Sequence, residues 1–274
     1  MENIKEKVFR SIVGKNSHFI GAHKDETCYI IGNGASLKSM DLTSFSDHIA
    51  IGLNHVNLHK DRSSLNMPYQ VLVEPFFFYP YIKNPYTLTY QRNILGKLFI
   101  ESFSDYKTQV NLFVSLSNIL NPFVGSKISY LYHFGNRNCN AKDNDISGSF
   151  SFMSGALEAG LGLAINMGFK KAILVGCDYL FTPMSNGHFY AHGPPVRLDK
   201  ERPYDALFAE IKEDIDVCVI TDSSEASNSL KSSTYFEYTG KNLLYKENVD
   251  IVNTEFLNYL ETANKLQQYK GRIK

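Results

Sequence analysis

Short, saturated apolar runs alternate along this chain with longer polar connections. "CYIIG" (28–32), "HIAIGLN" (48–54), "YQVLVEP" (69–75) and "QVNLFVS" (109–115) are bounded by Gly, Asn, Pro or Ser. That is how strands buried on both faces of a parallel sheet read. A small-residue helix, "SGALEAGLGLAINMGF" (154–169), leads into another run, "KKAILVGCDYLF" (170–181), which ends at Asp178. Tyr204, Leu207, Phe208 and Ile211 fall at helical spacing, and "VCVIT" (217–221) is a further buried strand. Ile4, Val8 and Ile12 mark one face of a short N-terminal helix, and "LKSMDLTSF" (37–45) a weak helix and turn. A polar helix with a basic end is expected from Asn253 onward.

Strands alternating with helix-length connections predict an α/β fold, a mostly parallel, doubly wound sheet in one Rossmann-like domain. Residues 1–25 form an N-terminal helix or extension, and 26–274 the domain. The stretch "TPMSNGHFYAHGPPVRLDKERP" (182–203) has no periodicity and is rich in Pro, Gly and His, so a short irregular lid is expected at about 181–204. "YLYHFGNRNCNAKDNDISGS" (130–149) reads as a surface loop, and the aromatic segment around Phe76–Tyr79 as more loop than regular element.

Composition narrows the classes. Of 274 residues 43 % are hydrophobic, enough for a proper core, and Lys plus Arg equals Asp plus Glu at 28 each. Without a net field, neither nucleic acid nor a charged membrane surface is favoured. The four cysteines are widely separated, with no CxxC pair, and read as buried thiols of a reducing compartment. The first residues lack the apolar core of a signal peptide, and no run approaches about 18 apolar residues. A cytoplasmic protein is expected, with the inner face of the membrane, peripheral association and self-association left open.

The strand at 28–32 runs into "GNGASL" (32–37), a glycine turn opening a helix, which is the form of a phosphate cradle. It departs from the dinucleotide fingerprint: Leu37 stands at the third glycine position, and Asn54 where an acidic ribose partner belongs. No GK[ST] is present, which excludes a P-loop.

"GNGASL", "LNHV", "MSGALEAGLGLAINMGFKKAILVGCDY" and "HFYAH", taken together, resemble the bacterial lipooligosaccharide sialyltransferases and related flagellin-modifying glycosyltransferase domains. The resemblance implies a CMP-sugar-dependent glycosyltransferase of lipopolysaccharide or capsule biosynthesis, acting on a glycan by inverting displacement. It places Gly32, Asn33 and Gly34, with Ser36 beside them, at the nucleotide phosphate. Asn54 would hold the nucleotide or donor sugar, Ser154 and Gly155 would line the donor, and Asp178 would lie near the ribose. His192 would be the general base, with His188 shaping the lid. No cofactor is implied and no metal site, although assistance by Mg²⁺ stays open. The chain departs from the family pattern at Ser151, Met153 and Leu180, and at Glu74, which stands where the family places Asn near the donor.

Other readings remain. His188 and His192 lie four apart, but Gly187, Gly193, Pro194 and Pro195 argue against a helix that would join them at zinc. "DND" (143–145) is a D-x-D in a loop where carboxylates are ordinary. An ATP-dependent pyrophosphokinase of the pterin type and a non-catalytic nucleotide-binding domain are the alternative functions.

Overall fold

The computed structural model describes residues 4–75, 77–78, 99, 101–103, 109–120, 127–133, 144–180, 184–185, 187–191, 196–197, 204–222, 230–246 and 258. Among the described residues there are ten strands: β1 (Thr27–Ile31), β2 (Ile49–Leu53), β3 (Asn66–Leu72), β4 (Asn111–Ser115), β5 (Lys127–Leu131), β6 (Lys171–Val175), β7 (Met184–Ser185), β8 (Val196–Arg197), β9 (Asp216–Thr221) and β10 (Lys231–Thr234). The described α-helices are α1 (Ile4–Val13), α2 (Ala156–Asn166), α3 (Asp205–Ile211) and α4 (Tyr235–Thr239).

Eight strands form one sheet in the order β10-β9-β6-β1-β2-β3-β4-β5, and β7 and β8 pair separately as a short antiparallel ribbon. Every neighbouring pair in the large sheet is parallel. The chain winds outward from β1 to β5, then returns through α2 to β6 on the other side of β1. The order therefore reverses between β1 and β6. Such a switch point opens a crevice at the carboxyl ends of the strands.

Alternation along β1 divides the core into two layers. Tyr29 and Ile31 face one cluster, with Phe45, Phe77, Phe78 and Phe99, while Cys28 and Ile30 face the other, with α2 and Phe150, Phe152 and Phe169. α2 lies close to the sheet because its glycines allow it. A Cβ on Gly160 would come within 2.8 Å of Leu53 Cδ2, and one on Gly162 within 2.8 Å of Phe152 Cβ. A register shift between β2 and β3 falls beside Pro68, whose missing N–H cannot join a ladder.

The elements differ from their sequence pattern in four places. The weak helix expected over 37–45 is two 3₁₀ turns, Ala35–Lys38 and Leu42–Phe45. Asp41 accepts from Thr43 N at 3.0 Å and Thr43 Oγ1 at 2.6 Å, local bonds that compete with a continuous helix. α1 does not seat on the Ile4 and Val8 face, which is 82 % and 50 % exposed. It is held at its far end, where Val13 is buried and Phe9 packs edge-on against Tyr132 at 5.0 Å. Tyr130 and Leu131, within the expected surface loop, complete β5, and the polar β10 is a parallel edge strand without an apolar run. Asn258 apart, which is helical, the expected C-terminal helix lies outside the described residues, as does most of the aromatic segment, but Phe77 and Phe78 are core. Among the described residues no helix is long and apolar enough to cross a membrane.

A tight backbone approach lies at the switch point. A Cβ on Gly32 would stand 2.4 Å from Gly176 O, a backbone atom that cannot swing aside. Gly32→Ala is therefore expected to destabilise the protein by at least about 1–3 kcal/mol. Urea unfolding of the two proteins measures it, and equal midpoints would show that the strand ends can separate without cost.

Candidate functional site

At the carboxyl ends of β1, β2, β3 and β6 lies a cleft of about 430 Å³. Its lining includes Gly32 and Asn33 after β1, Asn54 and His55 after β2, Glu74 after β3, and Ser154 to Glu158 at the start of α2. Gly176, Cys177, Tyr179 and Leu180 after β6 close one side, with His188, Tyr190 and Tyr204. Residues from all four motif blocks meet here.

Each arrives by a local cause. Asn54 has φ 47°, a left-handed conformation that Asn tolerates better than most residues. Its N–H donates to Val71 O at 2.9 Å and its carbonyl accepts from Gln70 Nε2 at 2.5 Å, so the turn off β2 is fixed to β3. Glu74 is placed by Asn118, whose Nδ2 donates to Glu74 O at 3.2 Å while its Oδ1 accepts from Phe78 N at 2.7 Å. α2 begins at Gly155 without a side-chain cap, so its first amides are open to an acceptor.

The segment at 188–191 is not a free surface loop. His188 bridges Gly34 in an antiparallel pair, and Phe189 N donates to Asn33 O at 2.9 Å. Phe189, Tyr190 and Ala191 are buried, and the buried Lys38 ammonium donates to Ala191 O at 2.6 Å. The His188 ring stacks on Tyr190 at 4.9 Å and lies 5.4 Å from Tyr179. His192, the candidate base, lies outside the described residues, one position beyond this anchored segment.

Three sequence candidates do not line the cleft. Asp178 turns into the glycine turn, where Oδ2 accepts from Ser36 N at 2.8 Å and Oδ1 from Ser36 Oγ at 2.5 Å. A Cβ on Gly34 would fall 2.4 Å from that carboxyl group. Burial raises the pKa of Asp178, and the two bonds from Ser36 oppose that rise. Gly34, Ser36 and Asp178 thus form a brace behind the cleft, whereas Gly32, Asn33, Asn54, Glu74, Ser154, Gly155 and His188 line it. Of "DND", Asp143 lies outside the described residues, Asn144 donates to Gly162 O at 3.2 Å, and Asp145 caps a turn at Ser147.

His55, Tyr179 and Tyr190 were missed as site residues, although each stands inside a quoted block, in "LNHV", "GCDY" and "HFYAH". Glu158 also stands inside a quoted block, at "SGALE", whereas Tyr204 carries no comparable signal. His55 is buried among the rings of Phe77, Phe99 and Tyr190. Desolvation, then the nearby His188, lower its pKa to about 3, so it is neutral at physiological pH. Burial pushes the Glu74 carboxyl up to about 7, and its Oε2 is shielded from solvent with no hydrogen-bond partner. Asn33 Oδ1 and Asn54 Oδ1 are in the same condition. Each buried acceptor left unsatisfied costs about 1–3 kcal/mol, so a donor group entering the cleft would be stabilising on this wall. Among the described residues, no group of three or more His, Cys, Asp and Glu is placed to hold a metal.

No family model matches the chain, and no curated protein matches it. Solved structures do. The sialyltransferase CstII of Campylobacter jejuni, with the substrate analogue CMP-3FNeuAc, superposes with a TM-score of 0.43 at 14 % identity, covering 87 % of this chain and 99 % of that one. The same enzyme with cytidine-5'-monophosphate gives 0.46 and 16 %, over 88 % and 99 %. The monofunctional α-2,3-sialyltransferase Cst-I of the same organism gives 0.41 and 16 %, over 88 % and 96 %. A shared fold does not fix chemistry, so function rests on the cleft itself.

Glu74 makes stability depend on pH. Its folded pKa lies above the ordinary 4.5, so the folded state keeps a proton that the unfolded chain releases. Stability contributed by the neutral carboxyl is whole below about pH 4.5, falls as pH rises through about 7, and stays lost above. Glu74→Gln is expected to gain on wild type by up to about 3 kcal/mol at pH 8, and little at pH 4. Urea titrations at the two pH values test this; an equal difference at both would mean that Glu74 ionises as an exposed glutamate does.

Proposed function

We propose that this protein is a glycosyltransferase that moves a sialic-acid-like sugar from a CMP donor to a glycan hydroxyl. One observation supports the reading above others: the four sequence blocks that resemble such enzymes, more than 150 positions apart at their extremes, meet in one cleft at the switch point. The uncapped start of α2 offers backbone amides to a phosphate where the helix dipole favours negative charge, with Gly32 lining the cleft beside it. Asn33 and Asn54 present buried acceptor oxygens to the donor groups of base, ribose or sugar.

In the proposed reaction the acceptor hydroxyl oxygen attacks the anomeric carbon as the bond from that carbon to the phosphate oxygen breaks, and the sugar inverts. His192 takes the hydroxyl proton, and the helix amides stabilise the CMP that leaves. His188, in the anchored segment, orients this part of the lid. No cofactor enters the scheme. A bacterial cell-surface glycan is the acceptor class the resemblance implies, and the reaction then belongs on the cytoplasmic side, where nucleotide sugars are made.

Calorimetry with CMP, UDP and ATP tests the nucleotide. CMP is expected to bind tightest, and Asn33→Ala or Asn54→Ala to weaken it by about 1–3 kcal/mol. ATP binding with no CMP binding would replace this reading with pyrophosphate transfer, and binding without CMP release from a CMP-sugar would leave a non-catalytic domain.

With a CMP-sugar and glycan acceptor, His192→Ala is expected to lower kcat by roughly 10²–10⁴-fold with CMP affinity nearly unchanged. The wild-type kcat should rise with pH through about 6.5 and then level, since the base works in its neutral form. A larger loss in His188→Ala than in His192→Ala would exchange their roles.

A further inference from the structure

The feature that the proposed reaction leaves unused is the carboxyl of Glu74. It stands just past the end of β3, two strands from β1, or about 10 Å across the sheet. In the proposed reading the phosphate sits by the start of α2, and Glu74, in the same cleft, falls to the sugar. Its Oε2 is shielded, lines the cleft wall and has no hydrogen-bond partner.

The described groups around it include no permanent positive charge. From β2, His55 is enclosed by aromatic rings and is neutral. From α2, Glu158 is a like charge, already engaged by Ser154 N at 3.1 Å. From the far wall come the Cys177 thiol, which burial keeps protonated, the phenols of Tyr179 and Tyr190, and the imidazole of His188 stacked on Tyr190. Neither Lys nor Arg is among the described lining residues. A carboxylate so placed is poorly solvated, and a second anion beside it would be repelled unless one of the two carries a proton.

We propose that Glu74 binds the donor as a neutral carboxylic acid, its O–H donating to the carboxylate of the sugar. The inference rests on the CMP-sugar reading above and names the sugar's recognised group. The two carboxyl groups then share one proton in a short, charge-assisted hydrogen bond. Where the family pattern has Asn, which donates through an amide at any pH, this chain has an acid that donates only while protonated. Donor binding above the pKa of Glu74 must draw one proton from solvent.

The test is calorimetry at pH 8 in two buffers of different ionisation enthalpy, using CMP-3FNeuAc and CMP as ligands. The expected result is uptake of close to one proton per CMP-3FNeuAc and none per CMP. The affinity for CMP-3FNeuAc, relative to CMP, should fall about tenfold per pH unit above the Glu74 pKa. Glu74→Gln, which keeps a donor without a titration, should bind CMP-3FNeuAc with no uptake and no pH dependence. CMP-3FNeuAc binding to wild type without proton uptake, or with uptake that persists in Glu74→Gln, overturns the proposal while the CMP-sugar reading stands. Failure of CMP itself to bind overturns both.

Discussion

The structure depends on how closely the ends of β1 and β6 approach. Gly32 lies against the Gly176 carbonyl, Gly32 N donates to Val175 O at 2.8 Å and Gly34 N to Gly176 O at 2.7 Å. The ladder between the two strands thus continues into the loops, and the crevice opens just beyond it. Asp178 completes the join by accepting two bonds from Ser36 across the gap. With side chains on these glycines, the strand ends would part, and the cleft would lose its floor.

The same join organises the opposite wall. Because the glycine turn is fixed, its exposed backbone can pair with the segment at 188–191 through the Gly34 to His188 bridge and the Phe189 to Asn33 bond. Lys38, at the end of the first 3₁₀ turn, fastens the carbonyl of Ala191. A buried ammonium is costly unless its hydrogen bonds are met, so this contact holds the backbone in one place. The turn that would meet a phosphate and the segment that leads to His192 are one mechanical unit.

The described wall of the cleft carries no Lys or Arg side chain. Its positive potential comes from backbone amides at the start of α2, and its described side chains supply neutral histidine, hydroxyls and carboxyl groups. Amide dipoles are fixed by the fold and need no counter-charge to be buried, unlike a lysine or arginine head group. Among the described cleft groups with a resolved shift, Glu74 is the one whose titration lies nearest neutrality.

The apolar runs alone determined the α/β class and the positions of β1, β2, β3, β4, β6 and β9, because a strand buried on both faces needs an unbroken apolar stretch whatever surrounds it. They could not reveal β10, whose "KSST" has polar side chains at an edge and is a strand only because β9 offers it a ladder. Nor could they show that α1 is held by Phe9 and Val13. Within the site, the glycine turn and Asn54 were legible as types, since few residues tolerate a close backbone approach or a left-handed φ. What only the tertiary structure decided was direction. Asp178 ends a strand as a ribose partner would, yet its carboxyl faces Ser36, because the uncapped turn behind it is the nearest source of donors. His55 reads as an ordinary neighbour of Asn54 until packing encloses it among aromatic rings from three distant segments. Sequence spacing fixes which residues are near a strand end; which way each side chain points depends on contacts between 16 and 142 positions away, and those exist only once the sheet has closed.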